Sequence, residues 1–445
     1  ISPAPTTDPA IVEFLMDYGH KYLGKETVLC KDTPAFIANR IGVYAIISAM
    51  HTVDEMKLTV AEVDKLTGPV IGRAKSATFR TMDLVGLDTT INVSNNLYGI
   101  LKDDESRDKF KLPKMVQELE KRKWFGDKTK QGFYKKTKNA EGKREILELN
   151  LETFEYAPKS RPSFDILKKT KSVDSLKKRL PMLINSEGKA GEFYRACFYD
   201  LFRYVTFRIP EIADELYRID NAVCAGFAWE LGVFATWDVL GVAETVKKME
   251  EANQKPAQWV YDMLAAGNTS FYKSEDGLSK YYDIPSKSYK VIPGTESLIS
   301  LENLRETNVL WKNAGSSIFD LGDGIICLEF HSKMNTLGVE VIEGLATAIN
   351  MAEKDYRGLV IGNEGPNFSV GANLMMLFMY AQQGEFDEVN HMIANFQRSI
   401  MRVRYSSIPV VGAPAGMALG GGCEMLMHCD AIQAHAESYI GLVEV

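Results

Sequence analysis

A pattern of aspartates and glycines occurs twice in this chain, and that repeat constrains its architecture more than any other feature. Val63-Asp64, Gly72 and Asp83-Leu84-Val85-Gly86-Leu87 return, in the same order, as Ile219-Asp220, Gly232 and Asp238-Val239-Leu240-Gly241-Val242. The paired aspartates are offset by 156 and 155 residues, and a near-constant offset marks a structural unit used twice. In each copy the Asp suits a helix cap or a polar anchor, and the Gly a tight turn with no room for a Cβ. The Asp-aliphatic-aliphatic-Gly element alone recurs by chance in a chain of 445 residues. The shared order is what argues for duplication.

The texture of the chain agrees. Residues 8–134 carry apolar side chains three and four apart, as in Phe36, Ile37, Ile41, Tyr44 and Ala45, which predicts helices. A second helical stretch covers 191–264. Between them, 135–189 is rich in lysine and holds Pro158, Pro162 and Pro181, the composition of a linker with some local structure. After about residue 317 the pattern alternates: strands are predicted at 325–330, 358–362 and 409–413, and helices at 337–354 and 386–404, an α/β arrangement. The expected organisation is a helical domain at 1–135, a linker at 136–190, a second helical domain at 191–290, a linker at 291–316 and an α/β domain at 317–445. The length, well beyond the roughly 250 to 300 residues of one core, requires such a division.

Composition narrows the class. With 45% hydrophobic and 25% charged residues the chain is an ordinary globular one, and its net charge of -7 argues against nucleic acid as a partner. Cys30, Cys197, Cys224, Cys327, Cys423 and Cys429 lack the close pairing of a metal site or disulfide framework, which points to reduced thiols, a cytoplasmic setting and no metal. No apolar run reaches the 18 or so residues of a membrane span, and the N-terminus lacks a signal-peptide layout. Starting at Ile1 and stopping in a segment that reads as ordered, the chain is expected to be cut at both ends.

The sharpest local feature is Ala418-Leu419-Gly420-Gly421-Gly422-Cys423-Glu424, set between a predicted strand and a predicted helix. Glycines there expose backbone N–H groups at a helix N-terminus, as an oxyanion hole requires. A second glycine turn, Phe368-Ser369-Val370-Gly371-Ala372-Asn373, follows the strand at 358–362 and offers another N–H to the same oxygen. Two preorganised donors on an enolate-like thioester oxygen stabilise it by on the order of 3 kcal/mol each. Glu424 and Glu444, the latter beyond apparent strands at 432–435 and 439–441, supply the proton-taking and proton-delivering groups that water addition to a conjugated double bond needs. The plainer reading is that the glycines permit close packing, that Glu424 is a helix N-terminal charge and that Glu444 is solvated.

His331-Ser332-Lys333-Met334-Asn335-Thr336-Leu337, Gly371-Ala372-Asn373-Leu374, Ala418 to Glu424, and Gly441-Leu442-Val443-Glu444 together resemble the crotonase (enoyl-CoA hydratase/isomerase) family, in its order and spacing, over about 317–445. The resemblance implies that the amides of Ala372 and Gly421 form the oxyanion hole and that Glu424 and Glu444 are the hydratase carboxylates. Having both glutamates favours hydratase over isomerase. Asn373 stands where the family usually has Asp, a minor departure because the donor is the preceding amide. The chain also stops at Val445, where the family continues with a Gly-rich turn and helices over the acyl-CoA.

The first two thirds resemble a second family. Lys31-Asp32-Thr33-Pro34-Ala35-Phe36-Ile37-Ala38-Asn39-Arg40 looks like a motif of the 3-hydroxyacyl-CoA dehydrogenases, with Ala35 for the usual glycine. On the residues alone, Asn39 in an apolar helical run reads as a satisfied core amide. Asp83 to Asp88 and Lys128-Thr129-Lys130-Gln131-Gly132-Phe133-Tyr134 reinforce the likeness, and Ile219-Asp220-Asn221-Ala222 with Trp229-Glu230-Leu231-Gly232 resembles the duplicated domain of multifunctional members. The implied fold is two all-α 3-hydroxyacyl-CoA dehydrogenase C-terminal-type domains followed by a partial α/β crotonase-type domain. The implied activity is NAD-dependent oxidation of (S)-3-hydroxyacyl-CoA coupled to hydration of trans-2-enoyl-CoA in fatty-acid β-oxidation. Asn39 would contact the substrate or the catalytic histidine. That histidine and its glutamate partner would lie upstream of Ile1; His20 and His51 do not match it. No G-x-G-x-x-G turn follows a strand, so NAD would bind through a domain outside this chain. Acyl-CoA thioesters are the expected ligands, and a homo-oligomer or association with a thiolase the expected assembly. A non-catalytic acyl-CoA-binding scaffold and an enoyl-CoA isomerase are the competing readings.

Overall fold

In the computed structural model, which describes residues 1–443 other than Ala140 and Ser297, Asp64 caps a helix that does not contain it. Its carboxylate accepts the amides of Phe79 (2.7 Å) and Arg80 (3.1 Å), at the start of the helix Phe79–Val85. Those N–H groups have no acceptor within their own helix. Asp83, inside that helix, accepts the amides of Phe133 (2.9 Å) and Tyr134 (2.8 Å), and the Tyr134 hydroxyl returns to Asp64 at 2.9 Å. The circuit closes on itself. Asp220 likewise accepts Phe234 (3.0 Å) and Ala235 (2.8 Å) at the start of Val233–Leu240, Asp238 accepts Phe271 and Tyr272 (both 2.8 Å), and the Tyr272 hydroxyl returns to Asp220 at 3.0 Å. The glycine closing each Asp-x-x-Gly element, Gly86 (φ +98°) and Gly241 (φ +80°), holds a positive φ between two helices.

Burial pushes the carboxyls of Asp64, Asp83 and Asp220 up to about 6 and that of Asp238 up to about 7, against the backbone donors that pull them down. With unfolded values near 3.9, the folded state holds more protons than the unfolded one between about pH 4 and 7. Stability from these groups is therefore full below that window and lost as the pH rises through it. The helical unit is expected to melt at a higher temperature at pH 5 than at pH 8 in scanning calorimetry. A Tm that rises across this interval contradicts the assignment.

These elements belong to a compact unit of Ile1–Lys273 and Lys280–Ile292. Its long helices Ala38–Met56 and Gly188–Phe207 are buried on all sides over much of their length, with Ile41, Tyr44, Ile47 and Phe202, Val205 in one continuous apolar core. Arg40 is fully buried there. It bonds Asp104 (2.7 Å), Glu211 (2.9 Å) and the Tyr204 hydroxyl (2.6 Å). The unit is helical but not all-α as expected: Tyr134–Lys138, Arg144–Leu149 and Tyr156–Pro158 form an antiparallel sheet. Residues 136–190 are more than a linker, since Leu149, Leu176, Leu180, Leu183 and Ile184 enter the core. Exposed lysines mask the periodicity of these short elements.

A second unit comprises Ser274–Ser279 and Pro293–Val445. Its main sheet runs Ala431–Ile432, Val410–Ala413, Gly358–Gly362, Ile325–Phe330, Ser316–Gly322, Val309–Lys312; the first four strands are parallel and the last two add antiparallel. The unit thus takes in strand residues before the expected boundary at 317. The helices Val339–Asp355 and Phe386–Arg404 lie within a residue or two of their predicted bounds. Val341, Leu345, Ala348, Ile349 and Ala352, at helical spacing, are buried in the core of this unit. A small parallel sheet, Asn367–Ser369, Met417–Leu419, Tyr439–Gly441, stands beside the main one. Among the described residues no helix is long and apolar enough to cross a membrane.

Candidate active site

The small sheet brings the two glycine turns together. Its strands are in register at Ser369–Ala418 and at Leu419–Gly441, so the three segments that follow them leave from one edge. Gly371 (φ +93°) and Gly420 (φ +51°) turn the chain there, and the Gly420 amide donates to Gly441 O at 3.0 Å. A methyl group on Gly371 would lie 2.9 Å from Leu419 O and 3.2 Å from Gly421 N. The turns abut because this residue has no side chain. Gly371→Ala, strained in φ and crowded by a neighbouring carbonyl, is expected to part the turns and destabilise the α/β unit by about 1 to 3 kcal/mol; urea unfolding checks it, and a wild-type midpoint would refute the packing argument.

Two amides at this junction are open. Ala372 is exposed, and Gly421 is the buried first residue of the helix Gly421–Met427. Neither N–H has an acceptor among the described residues. A buried backbone donor without a partner is rare, because leaving it unmade costs about 1 to 3 kcal/mol. A Cβ on Gly421 would be 3.1 Å from the Phe396 ring and 3.2 Å from the Leu337 side chain, so this amide sits against apolar walls. In such surroundings a donor interacts strongly with developing negative charge.

Glu424 lies one helical turn beyond Gly421, on the same face, half-buried. Its carboxylate has no hydrogen-bond or ionic partner among the described residues; its own carbonyl oxygen lies 2.7 Å from His428 Nδ1. Glu444 lies outside the described residues. The strand Tyr439–Gly441, which precedes it in sequence, is the third of the small sheet. The structure therefore brings together Ala372, Gly421 and Glu424.

Asn39 is exposed near the start of Ala38–Met56, with no hydrogen-bond partner among the described residues, and so is not a satisfied core amide. The buried polar residue of that motif is its neighbour Arg40, whose charge is met by partners far away in sequence. Sequence reading also passed over Phe271-Tyr272, the second-copy counterpart of Phe133-Tyr134, because Ser270 replaces the glycine that marks the first copy. The described strands of the helical unit pair antiparallel. No group of His, Cys, Asp or Glu among the described residues could hold a metal ion.

Comparison with known proteins matches this division. Residues 36–136 match the family model of the 3-hydroxyacyl-CoA dehydrogenase C-terminal domain, and residues 320–445 that of enoyl-CoA hydratase/isomerase. A Bacillus subtilis protein named "Probable 3-hydroxyacyl-CoA dehydrogenase" is 41% identical over 445 residues, covering 100% of this chain and 55% of that protein. A Rickettsia felis protein named "Putative fatty acid oxidation complex trifunctional enzyme" is 27% identical over 442 residues, covering 98% of this chain and 56% of that protein. The chain thus spans about half the length of these curated relatives. A helical region similar to the 3-hydroxyacyl-CoA dehydrogenase C-terminal domain, at residues 36–136, is thus followed by an α/β region similar to enoyl-CoA hydratase/isomerase, at residues 320–445.

Proposed function

We propose that the α/β unit hydrates trans-2-enoyl-CoA thioesters. The observation that carries this is the pair of unpartnered amides, Ala372 and Gly421, on two abutting glycine turns with the free carboxylate of Glu424 one helical turn away. The thioester oxygen accepts both N–H groups, which spreads the charge that builds as water adds to C3. One of Glu424 and Glu444 takes a proton from that water and the other delivers one to C2, so the product is the 3-hydroxyacyl-CoA; the carboxyl that gained a proton then gives it up to solvent and the one that lost a proton regains it there before the next turnover. Loss of the conjugated-thioester absorbance on adding crotonyl-CoA tests the reading. Thioester binding by calorimetry without turnover would favour a scaffold, and conversion of a 3-enoyl-CoA to its 2-enoyl isomer would favour an isomerase.

The same proposal gives the helical unit to the oxidation of (S)-3-hydroxyacyl-CoA, with NAD held outside its described residues and Asn39 reaching the substrate or the catalytic histidine. The exposure of Asn39 and its lack of a partner among the described residues support that role. We read 1–135 and 191–290 as two copies of one domain, separated by 136–190 and followed by 291–316 and the hydratase portion. Two identical Asp–Tyr circuits support the duplication. Six free thiols accord with a cytoplasmic setting. The helix Leu374–Gln383, which buries no residue and exposes Leu374, Met375, Phe378 and Met379, accords with a homo-oligomer or with a thiolase that takes the 3-ketoacyl product.

A further inference from the structure

Two amides act as one oxyanion hole only if the turns that carry them hold a fixed spacing, and one side chain touches both turns. Ser369 is fully buried at the end of its strand. Its Oγ accepts the amide of Gly371 at 3.1 Å, and Gly371 is itself buried. On its other side, a Cβ on Gly422 would lie 2.9 Å from Ser369 Cβ and 2.9 Å from Ser369 O, so the Gly421-Gly422 turn rests directly on this residue. We infer that Ser369 is a positioning residue of the oxyanion hole: its hydroxyl anchors the Gly371-Ala372 turn while its Cβ and carbonyl seat the Gly421-Gly422 turn, and so it sets the distance between the Ala372 and Gly421 donors. The inference rests on the hydration reading above.

The hydroxyl separates this role from plain packing. Ser369→Ala keeps the Cβ against Gly422 and removes only the acceptor for Gly371 N–H, so a residue that merely fills space tolerates it. Without its acceptor that buried amide turns toward another partner, and the peptide that ends in the Ala372 N–H rotates with it. A donor moved by a fraction of an ångström loses most of its worth to the transition state and little of its worth to the bound ground state.

The experiment uses the full chain with crotonyl-CoA turnover and, as a second readout, the absorbance of bound 2,4-hexadienoyl-CoA, which shifts to longer wavelength when its thioester oxygen is polarised. Expected for Ser369→Ala is a kcat about 10- to 100-fold lower, with KM and thioester Kd within about threefold and a smaller red shift. Ser399→Ala, which removes a similarly buried hydroxyl bonded to Asn395 O, is the control and stays at wild-type values. Wild-type turnover with an undiminished kcat or red shift in Ser369→Ala overturns the inference and leaves the hydration reading standing. A wild-type chain that binds the thioester but neither hydrates it nor shifts its absorbance overturns both. If Ser369→Ala does not fold, Ser369→Cys, whose thiol fills the space and accepts weakly, must show the reduced red shift at unchanged Kd, or the inference falls.

Discussion

Glu424→Gln is expected to lower kcat for enoyl-CoA hydration by about 100- to 10,000-fold with little change in thioester binding. The substitution keeps the shape of the side chain and removes its capacity to exchange a proton. Because the Glu424 carboxylate has no partner among the described residues, the change breaks no bond that holds the fold. The far-UV spectrum should therefore match the wild type, and the Tm should move only by the small contribution of one first-turn charge. A merely solvated helix N-terminal charge predicts the same small change in Tm, since a first-turn carboxylate is worth only about 0.3 to 1 kcal/mol to a helix, but with full hydration. Stopped-flow or steady-state loss of the enoyl absorbance separates the two. Glu444→Gln should behave alike, because taking and delivering the proton are steps of one cycle. Full turnover in either variant rejects the carboxylate assignment.

The two glycine turns were legible because they take a backbone geometry that only certain residues permit. A positive φ at Gly371 and at Gly420, and a close approach at Gly422, each require glycine, and three glycines in a row between strand and helix announce themselves. The strands that flank them were equally plain, since parallel strands such as Gly358–Gly362 are buried on both faces and read as apolar runs. The helical unit was legible at its aspartates and less so elsewhere. Its short antiparallel strands went unread because Lys136 and Lys138 occupy the exposed positions of Tyr134–Lys138 and half-buried Lys135 lies between them and Tyr134, which leaves little apolar alternation. Arg40 was passed over for Asn39 for a related reason: a charge in an apolar helix signals exposure unless its partners are known, and Asp104, Tyr204 and Glu211 are distant in sequence.

The repeat that organises the helical unit yields the largest stability effect. Asp220→Ala is expected to cost about 3 to 5 kcal/mol, because it strips the acceptor from the amides of Phe234 and Ala235 and from the Tyr272 hydroxyl, at roughly 1 to 3 kcal/mol for each buried donor left unmet. The space cannot close, since Gly232 is packed against the Asp220 side chain with no room for a Cβ of its own. Asp220→Asn keeps one carbonyl oxygen and the volume, and should cost less. Its cost also depends on pH in a definite direction. Burial holds the Asp220 carboxyl at about 6, so the wild type is penalised for ionising as the pH rises through that value, whereas the amide never ionises. The gap between wild type and Asp220→Asn should therefore be widest near pH 5 and narrow by pH 8, as read from urea midpoints. Asp64→Ala should reproduce both effects on a smaller scale, since that side chain is less buried by its surroundings. Because the residues of both circuits feed one continuous core, the loss should reach beyond the second copy: hydrogen exchange should quicken in Ala38–Met56 as well as in Val233–Leu240. Exchange that quickens only around residue 220 would mean that the two copies unfold separately and that the shared core does not couple them.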